Sequence, residues 1–249
     1  ADNTSSPSID PTLTQSYPST PWGTHHHQEG ARWLPETLER SAAQYPELTA
    51  VSVPETGDSL TYAELDHLAN QLASVISDAV SEADQVVAVC LPQDSATVVA
   101  LHLAILKAGA AQCFIDPDAP DELLQRVLND AQPALLISEA LPAGYTGKFR
   151  SPEVLLRHSE SGPSRAPSAP WLEDPQSRLA SLFYTSGTTG HPKGVECPHA
   201  GYINLAQSYA TFYDFVPGSD ASSLTSSLGY DGSISEMYSA WVPGCEVVL

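Results

Sequence analysis

The chain has 249 residues, 42% of them hydrophobic, which is enough apolar material for one or two globular domains with a large core. Thirty acidic side chains face 10 basic ones, and the formal net charge of -20 repels a polyphosphate backbone, which argues against nucleic-acid binding. Apolar runs such as 85–91 and 179–185 fall far short of the roughly 20 residues of a membrane span, and no basic-then-apolar leader is seen. A cytoplasmic protein with no membrane partner is expected.

The first stretch, residues 1–30, is rich in Ser, Thr and Pro without periodicity and reads as a flexible leader or linker, ahead of a folded part over 31–249. Its His25-His26-His27 triplet has no partner cysteine or carboxylate pattern and reads as a solvated tract. From Trp33 the pattern turns periodic. Leu34, Leu38, Ala42 and Tyr45 predict a helix ending near Pro46, and 49–53 a short strand. Thr61 and Glu64 have capping-box spacing and open a helix with Leu65, Leu68, Leu72 and Val75 on one face. A buried strand over 85–91 follows, then a helix that Asp94 could cap and that stops at Gly109. A strand over 111–115, a helix over 120–131 and a strand over 134–138 come next.

The Pro- and Ser-rich segment 159–178 reads as a long surface connection. After it the pattern predicts a strand over 179–185, a glycine-rich loop, a helix over about 199–212 and a strand-helix-strand unit reaching Leu249. Strands that are apolar throughout and alternate with helices imply an α/β fold, a mostly parallel sheet flanked by helices on both faces. The cysteines Cys90, Cys113, Cys197 and Cys245 are widely spaced, form no zinc or redox motif, and read as free thiols, most of them buried.

Only three lysines occur, Lys107, Lys148 and Lys193, and the last lies in LFYTSGTTGHPKG, residues 182–194. An apolar strand there runs into a loop of Thr185, Ser186, Gly187, Thr188, Thr189, Gly190 and Lys193. Glycines let backbone N–H groups turn toward an anion, hydroxyls add donors and a lysine adds charge. The Walker spacing is absent, so this is not a P-loop NTPase signature. Composition alone leaves a phosphate cradle and a Ser/Thr/Gly surface loop equally open.

The ordered string YTSGTTGHPKG resembles the phosphate-binding signature of adenylate-forming enzymes, the superfamily of acyl-CoA synthetases, luciferases and the adenylation domains of nonribosomal peptide synthetases. LTYAELDHLANQLA (60–73) and LKAGAAQCFIDPDAP (106–120) resemble, in order and spacing, two further segments of the peptide-synthetase branch. SLGYDGSISEMYSAW (227–241) resembles its FDxS-type motif, with Tyr230 where phenylalanine is usual. The resemblance implies the fold of the large N-terminal subdomain of such enzymes, here incomplete, with 31–249 a partial adenylation domain lacking the C-terminal lid domain.

By position, the resemblance implies that Asp231 holds the α-ammonium group of an amino acid substrate and that Gly232 and Ser235 line its side-chain pocket, where their small size leaves room. A capping or turn aspartate is the alternative for Asp231. His199 and Asn204 resemble the HxxxxN-like start of the next helix, where His199 either packs or serves catalysis. The implied cofactors are ATP with Mg2+, no protein-held metal being expected, and a phosphopantetheine arm on a partner carrier domain. In the implied reaction the carboxylate attacks the α-phosphorus of ATP, with Thr188, Thr189 and Lys193 stabilising charge on the pyrophosphate. The 249-residue chain alone is expected to be inactive. Two other readings stay open: the adenylation part of a carboxylic acid reductase or stand-alone acid ligase, and a noncatalytic remnant. The remnant reading expects an apolar sheet edge exposed at 246–249.

Overall fold

Helix α1 (Leu34–Gln44) starts after Trp33, with Pro35 in its first turn, where a missing N–H costs nothing. Its buried side is Leu34, Leu38 and Ser41, and its exposed side carries a Glu36–Arg40 pair at 2.9 Å. These elements belong to a computed structural model that describes residues 30–160, 162, 174–185 and 192–249. The leader before Gly30 and most of the connection over 159–178 lie outside the described residues. Residues Ala31–Leu249 form one compact unit.

Strands β1 (Thr49–Val53) and β2 (Asp58–Thr61) make an antiparallel hairpin that feeds α2 (Tyr62–Ser77). The expected capping box is formed. Thr61 Oγ1 accepts the Glu64 N–H at 3.2 Å, and Glu64 Oε2 accepts the Thr61 N–H at 2.9 Å. After β3 (Val86–Cys90) comes α3 (Ala96–Lys107), where the structure corrects one expectation. Asp94 does not cap this helix, because Asp58 at the start of β2 takes the role, accepting the Ala96 N–H at 2.9 Å. Gly109, at φ +78, ends α3 in the left-handed conformation that residues with a Cβ avoid.

Next come β4 (Ala111–Phe114), α4 (Asp121–Ala131), β5 (Leu135–Ser138), β6 (Phe149–Arg150) and α5 (Pro152–Ser159). Strand β7 (Leu179–Thr185) then pairs with β8 (Lys193–Pro198), and α6 (His199–Tyr213), β9 (Ala221–Ser223), α7 (Gly232–Trp241) and β10 (Glu246–Val248) complete the chain. The sequence pattern did not show β2, β6, α5 or β8. Strands β2 and β6 have only four and two residues, α5 has eight, and β8 is largely exposed with polar residues and glycine, so none carries the apolar run that marked the others.

Among the described residues the strands form two sheets, ordered β6-β5-β3-β4-β7-β8 and β2-β1-β10-β9, which bears out the expected α/β fold of mostly parallel sheets flanked by helices. All pairings are parallel except β1–β2 and β7–β8. The exposed edge expected at 246–249 is not found. Strand β10 lies between β1 and β9, and Val247 is fully buried. Helix α3 is apolar on every side because it packs against both sheets and α2. Val127 and Leu128 of α4 cover the opposite face of the larger sheet, against Val86, Ala88 and Leu136. No helix among the described residues is long and apolar enough to cross a membrane.

Lys107, at the end of α3, is 1% exposed and ties three helices together. Its Nζ donates to Glu39 of α1 at 2.6 Å and to Asp66 and Asn70 of α2 at 2.8 and 2.9 Å. With its ammonium removed, two carboxylates stay beside each other without the cation that holds them. Lys107→Ala is expected to lower unfolding stability by about 3 kcal/mol, read from denaturant midpoints, whereas Lys148→Ala on the surface stays within about 0.5 kcal/mol.

Candidate functional site

The larger sheet has its switch in connection side between β3 and β4. The β3 connection, α3, packs on one face with Val87 and Val89, whereas the β4 connection, α4, packs on the other with Val86 and Ala88. Such a divergence opens a crevice outside the carboxyl ends of the two strands, the usual place for a ligand in open α/β sheets.

A loop from β9 to α7 is fastened over the carboxyl ends of these strands. Gln93, just beyond β3, uses both ends of its amide. Nε2 donates to the Ser226 carbonyl at 3.2 Å, and Oε1 accepts the Leu228 N–H at 2.8 Å. Glu236 of α7 holds the same loop from the other side, accepting from Ser226 N–H and Ser226 Oγ, both at 2.9 Å. A Cβ on Gly229 would lie 2.8 Å from the Phe114 carbonyl oxygen, so only glycine lets the loop rest on the end of β4.

This loop carries Asp231. The residue is exposed and sits at the start of α7 with helical backbone, yet its carboxylate makes no capping hydrogen bond. The side chain therefore does not cap α7, although the residue does stand in the turn that leads into it, as the turn alternative expects. The negative charge stands at the positive end of the α7 dipole. Gly232 follows with little room beside it, since a Cβ there would be 2.7 Å from the edge of the Tyr230 ring. Ser235 is half-buried one turn further along α7.

Strand β7 runs beside β4, with Gln112 level with Ser181, so its carboxyl end opens on the same edge. Its antiparallel partner β8 returns from there, and the register sets Thr185 directly opposite Lys193. The hairpin connection thus leaves and re-enters the sheet between a threonine and a lysine that are both exposed. Lys193 is the first residue of β8 rather than part of the loop proper. Ser186, Gly187, Thr188, Thr189 and Gly190 lie outside the described residues. Tyr184 O–H donates to Asp130 Oδ2 at 2.7 Å and pins the end of β7 to α4.

His199 begins α6 and is 1% exposed. Its Nδ1 accepts the Leu34 N–H at 3.3 Å, and its ring lies tilted against Trp33 at 6.4 Å. Burial, helped by the nearby His102, lowers its pKa to about 4, so the ring is neutral and packs α6 against α1. Asn204 is exposed on α6.

Among the described residues no group of three or more His, Cys, Asp or Glu side chains is placed to hold a metal ion. The four cysteines are free thiols, Cys113 and Cys245 buried and the other two half-buried. A cavity of about 530 Å3 opens elsewhere on the same edge, on the α4 face, lined by Cys90, Gln125, Ser138, Glu139 and Leu141. Gln93 and Glu236, the two side chains that shape the site, were not singled out in the sequence. A polar residue just past a buried strand was a usable signal for Gln93, whereas nothing local marked Glu236.

A family model described as "AMP-binding enzyme" matches residues 38–249. Tyrocidine synthase 3 of Brevibacillus parabrevis is 35% identical over 219 residues, covering 87% of this chain and 3% of that protein. The dimodular nonribosomal peptide synthase of Bacillus subtilis is 34% identical over 226 residues, covering 87% of this chain and 9% of that protein. The chain thus spans a small part of the length of these relatives. The N-terminal subdomain of NpsA from Klebsiella oxytoca, solved with 3-hydroxybenzoyl-AMSN, superposes with a TM-score of 0.75 at 21% identity, covering 88% of this chain and 54% of that one. That likeness shows the fold.

Two buried histidines make the scaffold acid-sensitive. Burial lowers the pKa of both His102 and His199 from 6.5 to about 4, so the unfolded chain binds more protons between these values. Their contribution is full above pH about 6.5 and is lost as the pH falls toward 4, by up to about 1.4 kcal/mol per pH unit for each ring. Melting temperature is expected to drop steeply between pH 6.5 and 4, and His199→Asn to flatten that slope. A slope left unchanged by the substitution contradicts the neutral, buried ring.

Proposed function

Because the chain belongs to the AMP-binding enzyme family, we propose that the edge where β3, β4 and β7 end binds ATP and an amino acid and activates the carboxylate as an aminoacyl-adenylate. The observation that carries the reading is the shared edge. The Thr185–Lys193 mouth of the β7–β8 hairpin and the Asp231 loop both open where the sheet's connections diverge. The relatives named as a tyrocidine synthase and a nonribosomal peptide synthase support a role in peptide assembly.

In this reaction a carboxylate oxygen forms a bond to the α-phosphorus of ATP, and the bond to the bridging oxygen of pyrophosphate breaks. Little covalent help from the protein is needed, so positioning and charge stabilisation dominate. Donors of the hairpin connection, with Thr188 and Thr189 foremost, receive the charge that builds on the departing pyrophosphate. Lys193 adds a cation at the same mouth, in a chain with few to offer. Magnesium accompanying the triphosphate would supply further shielding of its charge.

Asp231 receives the substrate ammonium. Its carboxylate has no capping hydrogen bond to give up, and a charge-assisted contact there favours an amino acid over a plain acid. Gly232 and Ser235, one turn apart on the same helix, border the substrate side chain. The aminoacyl group then passes to the thiol of a phosphopantetheine arm on a carrier domain, and a C-terminal lid domain completes the site in the same polypeptide.

The test is amino-acid-dependent ATP–pyrophosphate exchange by the full-length protein. Thr189→Ala is expected to lower kcat/KM by about a hundredfold, the scale for loss of one preorganised donor. Asp231→Ala is expected to raise the amino acid KM at least about tenfold with the KM for ATP little changed. Exchange driven equally well by plain carboxylic acids would instead favour the acid-ligase reading, and exchange absent from the wild type would leave only the noncatalytic one.

A further inference from the structure

Four polar side chains cross the core in a line. Tyr238 of α7, His102 of α3, Gln112 of β4 and Ser181 of β7 are each no more than 1% exposed. Tyr238 O–H donates to His102 Nε2 at 2.9 Å, His102 Nδ1–H donates to the Gln112 side-chain carbonyl, and Gln112 Nε2 donates to Ser181 Oγ at 3.0 Å. Donor and acceptor roles are forced along the line. Amide Oε1 only accepts, so Nδ1 carries the ring proton, and Nε2 is left to accept from the phenol.

Burying this chain of polar groups gives no evident gain over leucine and phenylalanine in the same volume, since each group loses water in exchange for one partner. What apolar packing does not give is direction. The line defines how α7 is rotated about its axis, because the Tyr238 hydroxyl meets His102 at a fixed angle, with the two rings edge to face at 5.7 Å.

Both ends of the line lead to the proposed site. Asp231 lies seven residues before Tyr238, two helical turns, so the two share a face of α7. Ser181 lies four residues before Thr185 on β7, and alternation along a strand puts both on one face. A rotation of α7 that moved Tyr238 off His102 would swing Asp231 by the same angle.

We propose that the line Tyr238–His102–Gln112–Ser181 sets the rotation of α7 against β7, which makes Gln112 and Tyr238 positioning residues for the ammonium end of the amino acid. This rests on the reading of Asp231 as the ammonium anchor. Gln112→Leu cuts the line at its centre, and Tyr238→Phe removes a single oxygen while keeping the ring packing. Tyr62→Phe is the control. Its hydroxyl is also buried and donates to the Cys245 carbonyl at 2.6 Å, but it braces the far end of α7.

The experiment measures exchange kinetics of the full-length protein with amino acid and ATP varied separately, alongside melting temperature. The expected result is an amino acid KM raised about tenfold in Gln112→Leu and about fivefold in Tyr238→Phe, the KM for ATP staying within about twofold in both. Tyr62→Phe is expected to lower the melting temperature with neither KM changed. An amino acid KM unchanged in Tyr238→Phe, or a KM for ATP that rises with it, overturns the proposal. Should Gln112→Leu fail to fold, Tyr238→Phe alone decides. A wild type without amino-acid-dependent exchange, or an Asp231→Asn variant with normal KM, overturns the reading of Asp231 first and this proposal with it.

Discussion

The Gln93 amide is the joint on which the site's geometry depends. It extends from the end of β3 and grips residues 226 and 228 by donor and acceptor together, which holds the loop down on β4. Residues far apart in sequence meet there for a topological reason. Strands β3, β4 and β7 run parallel, so whatever follows each of them emerges at one edge. The return of β10 between β1 and β9 brings the last part of the chain back toward the first, with Val51 level with Val247. Without that pairing α7 has no sheet to rest on, and Asp231 loses its place.

The scaffold beneath is arranged so that little can shift. Helix α3 touches both sheets, Lys107 ties its end to α1 and α2, and Trp241 Nε1–H donates to the Ala50 carbonyl at 2.9 Å to lock α7 on β1. The Lys107 and Trp241 contacts are buried polar groups with specific partners, which give orientation where apolar packing gives only proximity. The exposed groups at the edge, Thr185, Lys193 and Asp231, are carried by elements that are fixed from below.

Much of this was legible in the residues. Buried parallel strands are apolar throughout, so β3, β5 and β7 were visible as runs, and the Thr61–Glu64 box and Gly109 marked helix ends by their own chemistry. What was not legible depended on distance. Asp94 was the local candidate to cap α3, but Asp58, 38 residues before Ala96, provides the oxygen. Strand β8 carries glycine, glutamate and lysine on an exposed edge, and only its pairing with β7 makes it a strand. The division into two sheets is a matter of which strands pair, and no single segment encodes that. At the candidate site, the hairpin string and Asp231 were marked by motif alone, whereas Gln93 and Glu236, which hold the Asp231 loop, were not marked, because their partners lie 133 and 10 residues away and carry no pattern of their own.

If the hairpin mouth and the Asp231 loop form one site for a nucleotide and an amino acid, a single ligand must touch both. A crystal structure of the protein with a hydrolysis-resistant aminoacyl-adenylate analogue shows whether it does. The phosphate-mimicking group is expected against the connection between Thr185 and Lys193, and the ligand ammonium within hydrogen-bond reach of the Asp231 carboxylate. An analogue bound instead in the cavity beside Cys90 and Glu139, or bound with its ammonium turned away from Asp231, would contradict the shared site.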